Sequence, residues 1–522
     1  MSRAACALAI AAAACGAQSD MGGAGSGSAE IRGGGSAAPE HTLLHPTRDD
    51  LLAAIPADAP YGFVAGEPNN LLAWLSHALD PATVRAVATA NLSAADPIRR
   101  VELAALLELA DAIAAPQAHA LGLGSRFAIF GTAALPLVVR VEVVDPAAAA
   151  SALAHAMTVA GARGSGSPWL VDDGSDALAV ALRGDQLTAA YGPSAAVVAA
   201  APELGRAVAS PVTEQKLFER AAAHGFDARA IGWIDPAGYA ALAAWLSTPA
   251  CGRAVSELVA GLGAVTIGVP EFDAQRIAIA ATVDLDFPTA SALVHAAGVA
   301  PTLPCPRSRA DRARDRPLFA LTATMAPELP RWVARLARVQ AACGDVEAVA
   351  APPASWRNVQ SVTLAVYDGA YGSDGPRVTD GLVALASPHL DALVRALAPY
   401  VTIPLPRDGG GFATVASEAA QSIAPGFALE RRGGLLIGAT AGSARARAAD
   451  LVPRSDAPLL RVAVAADARA LFGPEVASDP ADDGVLDQIG LGSAIVTRAA
   501  YLELTAFPDV YGVRTTFSID LK

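Results

Sequence analysis

Lysine is nearly missing from this chain. Lys216 and Lys522 are the only two among 522 residues, and arginine carries the rest of the positive charge. Together with the alanine excess, this reads as genome composition bias rather than thermal adaptation. Net charge is −13, and no stretch interleaves clustered basic residues with aromatics. Nucleic acid is therefore excluded as a partner, because phosphate binding needs clustered positive charge. Aromatics make up only 5% of the chain, so the cores rest on Leu, Val and Ile, with Ala at close contacts. Beyond the N-terminus, no run of about 18 or more apolar residues lacks both charge and proline. The longest, from Pro236 to Gly252, is interrupted by Pro249 and reads as one or two buried helices.

Catalytic and cofactor signatures are equally scarce. There is no HExxH, CxxC, GxSxG elbow or Walker loop, and so no sequence basis for a metal, cofactor or nucleophile. Gly122-Leu123-Gly124 lacks the third glycine of a dinucleotide fingerprint, and Gly409–Gly411 reads as a turn. The loop Asp479-Pro480-Ala481-Asp482-Asp483-Gly484 lacks an oxygen ligand at Ala481, and Gly490 stands where a calcium loop needs Glu. Asp172-Asp173-Gly174-Ser175-Asp176 reads as a hairpin turn. The eight histidines form no close ligand pair. His155 and His295 share a Ser-Ala-Leu-x-His context and are expected to be partly buried helix residues.

What is present begins with an export signal. Arg3 precedes an apolar run from Ala4 to Ala14, then Cys15. The run suits a signal-peptide core and is too short to span a bilayer. Small residues before Cys15 resemble the lipobox of bacterial lipoproteins, in which the cysteine becomes the lipidated N-terminus. Alanine at position 12 replaces the usual leucine, and ordinary cleavage after Ala-x-Ala is the competing reading. The expectation is a signal peptide over 1–14 and lipidation at Cys15. Residues 15–44, rich in Gly, Ser and Ala, bury too little apolar area to offset their ordering entropy and read as a flexible tether. Gly16 rather than Asp after the cysteine favours the outer membrane, facing periplasm or exterior.

Of five cysteines, Cys251, Cys305 and Cys343 belong to the exported body. An oxidising compartment favours one pair and one remaining thiol. Cys251 with Cys343 is preferred, because Cys305 lies in a Pro-flanked segment. Such a link would contribute about 4–5 kcal/mol in the chain-entropy model. The other two pairings, and three free buried thiols, stay open.

A phrase recurs along the body: an alternating strand, then Asp, Ser or Ala, then proline and a helical run. Asp145-Pro146, Asp235-Pro236, Asp286 with Pro288, Ala326-Pro327 and Ser387-Pro388 are instances. Asp or Ser caps orphan N–H groups, and proline gives up an N–H that has no helical partner. These aspartates are caps, not catalysts. A second similarity lies above this phrase. Leu182–Ala195 and Arg431–Ala444 both read as hairpins with a Gly turn, matching Arg183 to Arg432, Gly184 to Gly433, Leu187 to Leu436 and Ser194 to Ser443. The fold class expected is α+β, internally duplicated, with antiparallel sheets covered on one face by Ala-rich helices. The copies span 45–300 and 317–522, joined by a Pro- and Arg-rich linker over 301–316.

The segment IPADAPYGFVAG from Ile55 to Gly66, the AYGPSA hairpin end, Pro249-Ala250-Cys251 and Cys343 resemble uncharacterised proteobacterial (myxobacterial-type) exported lipoproteins with an "IPADTPY" opening. Ala59 stands where that group has Thr. The resemblance implies an exported α+β body and transfers no catalytic residue. The functional expectation is a non-enzymatic, lipid-anchored envelope protein that binds or scaffolds. Its partners are the membrane, through the N-terminal lipid, and a protein or hydrophobic ligand. A periplasmic hydrolase with an unfamiliar site is the alternative.

Overall fold

A computed structural model of the chain describes residues 50–65, 80–114, 121–162, 167–226, 230–303, 316–324, 359–468 and 499–521, apart from short breaks within these ranges and a few positions between 335 and 342. Cys15, the tether, Cys305, Cys343, Ala326-Pro327 and the Asp479 loop lie outside the described residues. The chain divides into two compact units, Met1–Gly232 and Trp233–Lys522.

The first unit runs β1 (Tyr61–Ala65), α1 (Pro81–Leu92), α2 (Pro97–Ala114), β2 (Leu123–Gly131), β3 (Leu137–Val143), α3 (Pro146–Ala160), β4 (Trp169–Asp172), β5 (Asp176–Arg183), β6 (Gln186–Pro193), α4 (Ser194–Ala200) and α5 (Glu214–Ala223). Its strands pair antiparallel in the order β1-β2-β3-β6-β5-β4. β3 is β-branched at four of seven positions and buried along its whole length. That composition suits a central strand covered on both faces.

Asp-Pro pairs open the helices as the sequence implies. Asp145 accepts from the N–H of Ala147 and Ala148 at 3.0 and 3.1 Å, with Pro146 as the first helical residue. Gly161 closes α3 in the left-handed conformation, φ 72°, which only glycine adopts at no steric cost. Asp80-Pro81 repeats the device, the carboxylate accepting from Thr83 N–H at 3.2 Å. The expected turn after Trp169 is also present: Asp173 Oδ1 accepts from Ser175 and Asp176 N–H, and Gly174 takes φ 96°.

The IPADAPY segment is built into this unit. Ile55 is fully buried, Val212 N–H donates to its carbonyl at 2.8 Å, and Ala57 N–H donates to Ser210 O at 2.9 Å. Tyr61 donates to the Pro136 carbonyl and lies against Gly131, where any side chain would strike its ring. Burial pushes the Tyr61 phenol up to about 12.

β7 (Ala230–Ile234) crosses the division between the units. The second unit continues with α6 (Pro249–Val259), β8 (Val265–Phe272), β9 (Arg276–Asp284), α7 (Phe287–Val299), β10 (Pro301–Thr302), β11 (Phe319–Thr324), β12 (Ser361–Gly372), β13 (Gly375–Ala386), α8 (Leu390–Leu397), β14 (Ala413–Thr414), α9 (Glu418–Ile423), β15 (Ala428–Arg432), β16 (Leu435–Ala439), α10 (Ser443–Arg447), β17 (Val452–Pro453), β18 (Leu460–Ala465), β19 (Ala499–Asp509) and β20 (Gly512–Leu521). Here β11-β12-β13-β16-β15-β14 follow one another antiparallel. On the other side of β11 come β18, β19, β20, β9 and β8.

Asp286 caps α7 through Thr289 N–H at 2.8 Å, and those hydrogen bonds hold its carboxyl below the usual carboxylate range. One corner differs from expectation. α8 begins at Leu390, not at Pro388. The Ser387 hydroxyl accepts from His389 N–H at 3.1 Å, so a polar turn intervenes before the helix.

Where β12, β11, β18 and β19 adjoin, the buried side of the sheet carries a polar row among its alanines. Thr363, Thr322, Arg461 and Thr505 are cross-strand neighbours and all buried. Arg461 Nε donates to Glu503 Oε1 at 3.0 Å, both side chains at most 7% exposed. Alternation puts Leu364, Leu321, Val462 and Leu504 on the opposite side, partly exposed.

Candidate functional site

The candidate site follows from alanine. α2 and α3 lie over β5 and β6 in the first unit, and their facing stripes are short. α3 offers Ala149, Ala152, Leu153, Ala156 and Met157 at helical spacing, and α2 offers Val101, Ala105 and Glu108. Below are Leu178 and Val180 of β5, and Leu187 and Ala189 of β6, with Leu121 and Leu123 at the side. Val180, Ala189 and Val139 share one cross-strand row, so these residues occupy a single face of the sheet. A helix packed on a sheet through methyl groups cannot fill the space that Leu or Phe would fill. A cavity of about 90 Å³ remains.

Thirteen of its fourteen lining residues are apolar; the exception is Glu108. The Glu108 side chain is 18% exposed, and its Oε1 lies 2.6 Å from Nδ1 of His155, whose side chain is 70% exposed. The carboxylate therefore stands at the cavity's edge and the imidazole outside it. Both His155 and His295 are exposed rather than partly buried. Helical spacing explains the correction. Ala156 and Met157 turn inward, as do Ala296 and Ala297 in α7, and the preceding histidine falls off that stripe.

The opposite face of this sheet carries structural polar contacts among apolar residues. Arg140 Nε donates to Gln186 Oε1 and its Nη1 to Gly205 O, each at 3.3 Å. Arg183 donates to the carbonyls of Leu204 and Pro202, each at 2.7 Å, and so ties the turn Ala201–Glu203 to the end of the hairpin. Arg432 does the same in the second unit, donating to Ala448 O at 3.2 Å in the turn Ala448–Asp450.

Of the other sequence candidates, Cys251 is buried in α6; the residue expected to pair with it, Cys343, lies outside the described residues. Ser194 donates to Asp172 at 3.0 Å. Ser443 bonds Asp380, with Arg447 beside both and its guanidinium 3.5 Å from the Tyr367 ring. An arginine, not a histidine, completes that group, which suits anchoring α10 rather than activating a hydroxyl. Among the described residues no group of His, Cys, Asp and Glu has metal-site geometry, and no helix is long and apolar enough to cross a membrane.

High apolar content with few aromatics points to an apolar groove between sheet and Ala-rich helices, but not to the residues that line it, because the void is made jointly by elements far apart in the chain. No family model, curated protein or solved structure matches this chain.

Proposed function

We propose that this chain is an exported envelope protein, lipid-anchored at Cys15, with a non-enzymatic binding role, and that the cavity beneath α2 and α3 holds a hydrophobic ligand. The cavity carries the second part. It is nearly devoid of polar groups, and such cavities stay dry and accept apolar guests. At about 90 Å³ it is smaller than the ~150 Å³ engineered cavity that takes benzene. A short aliphatic segment, or the end of a longer chain, matches that size. The anchor rests on Arg3, the apolar run and Cys15, and agrees with the likeness to myxobacterial-type lipoproteins. Outer-membrane placement rests on Gly16. Solvent extraction and mass spectrometry of protein purified from its native host test the ligand: an aliphatic molecule at one per chain supports the reading, and an empty extract removes it. Mass spectrometry of the mature N-terminus tests the anchor, where a free N-terminus other than Cys15 contradicts it.

The body is inferred to be an internal duplication whose Ala-rich helices cover one face of each sheet. Four features support the duplication. The six-strand orders correspond, β1-β2-β3-β6-β5-β4 with β11-β12-β13-β16-β15-β14. Gly184 and Gly433 open the matched turns at φ 58° and 55°, the glycine position of a type II′ hairpin. Val143 N–H donates to Asp185 O at 2.7 Å, and Ser387 N–H to Gly434 O at 2.8 Å. Arg183 and Arg432 each hold the following turn. A disulfide between Cys251 and Cys343 belongs to the same proposal. Thiol titration of the unfolded body with and without reductant checks it, one free thiol before reduction being expected.

A further inference from the structure

The cavity has one polar lining group, and its identity bears on what the ligand's head can be. Glu108 sits on α2 one turn beyond Ala105, on the stripe that faces α3. It is four-fifths buried, and its Oε1 meets His155, which is itself mostly in solvent. A carboxylate has about four acceptor positions and no donor; His155 engages Oε1, and acceptor capacity remains. A carboxylate, phosphate or sulfonate head placed here would meet an anion in a poorly solvated setting, where like charges repel far more than in water. An N–H or O–H head would be received, and a charged N–H donor most strongly.

Resting on the reading that the cavity binds a hydrophobic ligand, we propose that it selects amphiphiles with a hydrogen-bond-donating, non-anionic head. The apolar chain lies among Ala152, Leu153, Ala156 and Val180. Glu108 receives the head at the rim, taking the place of, or adding to, its bond with His155. A primary amine is the preferred head and a hydroxyl the next.

Displacement from the full chain of a bound fluorescent dye whose short alkyl tail can enter the cavity, by hexylamine, hexanol and hexanoate at one pH and ionic strength, tests this. Hexylamine is expected to displace the dye at roughly tenfold lower concentration than hexanoate, with hexanol between. In Glu108→Gln the three should fall within about twofold of one another, each displacement being referred to that variant's own dye affinity. In His155→Ala, an exposed substitution that leaves the core intact, the preference for the amine should widen. Hexanoate equal to or better than hexylamine in the parent, or the same ranking in Glu108→Gln, overturns the head-group assignment while the cavity reading stands. Failure of the dye and all three compounds to bind removes the cavity reading, and this inference falls with it.

Discussion

Glu108 and His155 are 47 residues apart in the chain, yet Oε1 of one lies 2.6 Å from Nδ1 of the other. The contact closes one side of the gap between α2 and α3. It joins an exposed imidazole to a carboxylate that edges an otherwise apolar cavity. The pair marks where the interior of the first unit meets solvent, and the functional reading turns on what lies behind it.

An unfilled cavity costs stability, and filling it should return part of that cost. At about 24 cal/mol per Å³ for an enclosed cavity, a volume of about 90 Å³ sets an upper bound of about 2 kcal/mol, since this pocket is half open to solvent. Ala156→Leu points new methyl groups into this space. It is expected to stabilise the chain by about 1 kcal/mol, the remainder being lost to imperfect fit. Ala154→Leu, on the exposed side of the same helix, should leave stability unchanged. Urea unfolding of the two variants against the parent measures the difference.

The two hairpin arginines are expected to behave alike. Arg183→Ala removes donors from the carbonyls of Leu204 and Pro202, and Arg432→Ala removes one from Ala448. Charge-assisted bonds of this kind are worth about 1.5–3 kcal/mol, less where the guanidinium is partly solvated, as at Arg432. A loss of about 1–2 kcal/mol at each site is predicted. Hydrogen exchange at Leu204 and Leu451, whose N–H groups close the two turns, should accelerate only in the unit that carries the change.

Arg461 and Glu503 form a buried pair on neighbouring strands. Glu503→Ala leaves a guanidinium without its anion and is predicted to cost about 3–5 kcal/mol. The double variant Arg461→Met, Glu503→Leu removes both charges together and should be much less damaging. A double-mutant cycle by thermal unfolding reads this, and equal losses in the single and double variants would contradict it.

Two buried phenols, Tyr61 and Tyr501, and the half-buried Tyr239 set an alkaline limit. Burial pushes Tyr61, Tyr239 and Tyr501 from 10 up to about 12. Negative Asp284 and Asp235 add to the shift at Tyr239. A phenol whose pKa is higher folded than unfolded keeps its proton in the folded chain while the unfolded chain loses it. Its contribution is therefore whole below pH 10 and is lost as pH rises toward about 12. Denaturation midpoints should fall steadily across that window. Tyr61→Phe should lower stability by about 1 kcal/mol through the bond to Pro136 O and make the fall shallower.

Much of the fold was legible because its determinants are local. Asp145 and Asp286 announce helix starts within three residues, and Gly184 and Gly433 announce hairpin turns within two. Composition and alternation were enough for an α+β body with antiparallel strands. The site was not legible in the same way. Its void is the summed shortness of Ala105, Ala149, Ala152, Ala156 and Ala189, five residues whose proximity depends on packing rather than spacing. The Arg461–Glu503 pair was hidden for a related reason: it depends on the register between β18 and β19, which the sequences of the two strands leave open. Ser387-Pro388 misled because the serine hydroxyl serves a turn before the helix rather than its first residue.

The most direct test is the stoichiometry of binding of a solvatochromic alkyl dye to the intact chain, parent against Ala156→Leu. One saturable site per chain, blue-shifted in the parent and missing in the variant although that variant is the more stable, is the predicted result. No saturable site in the parent, or undiminished binding once Ala156 is replaced, would contradict the claim that this cavity is where the protein holds its ligand.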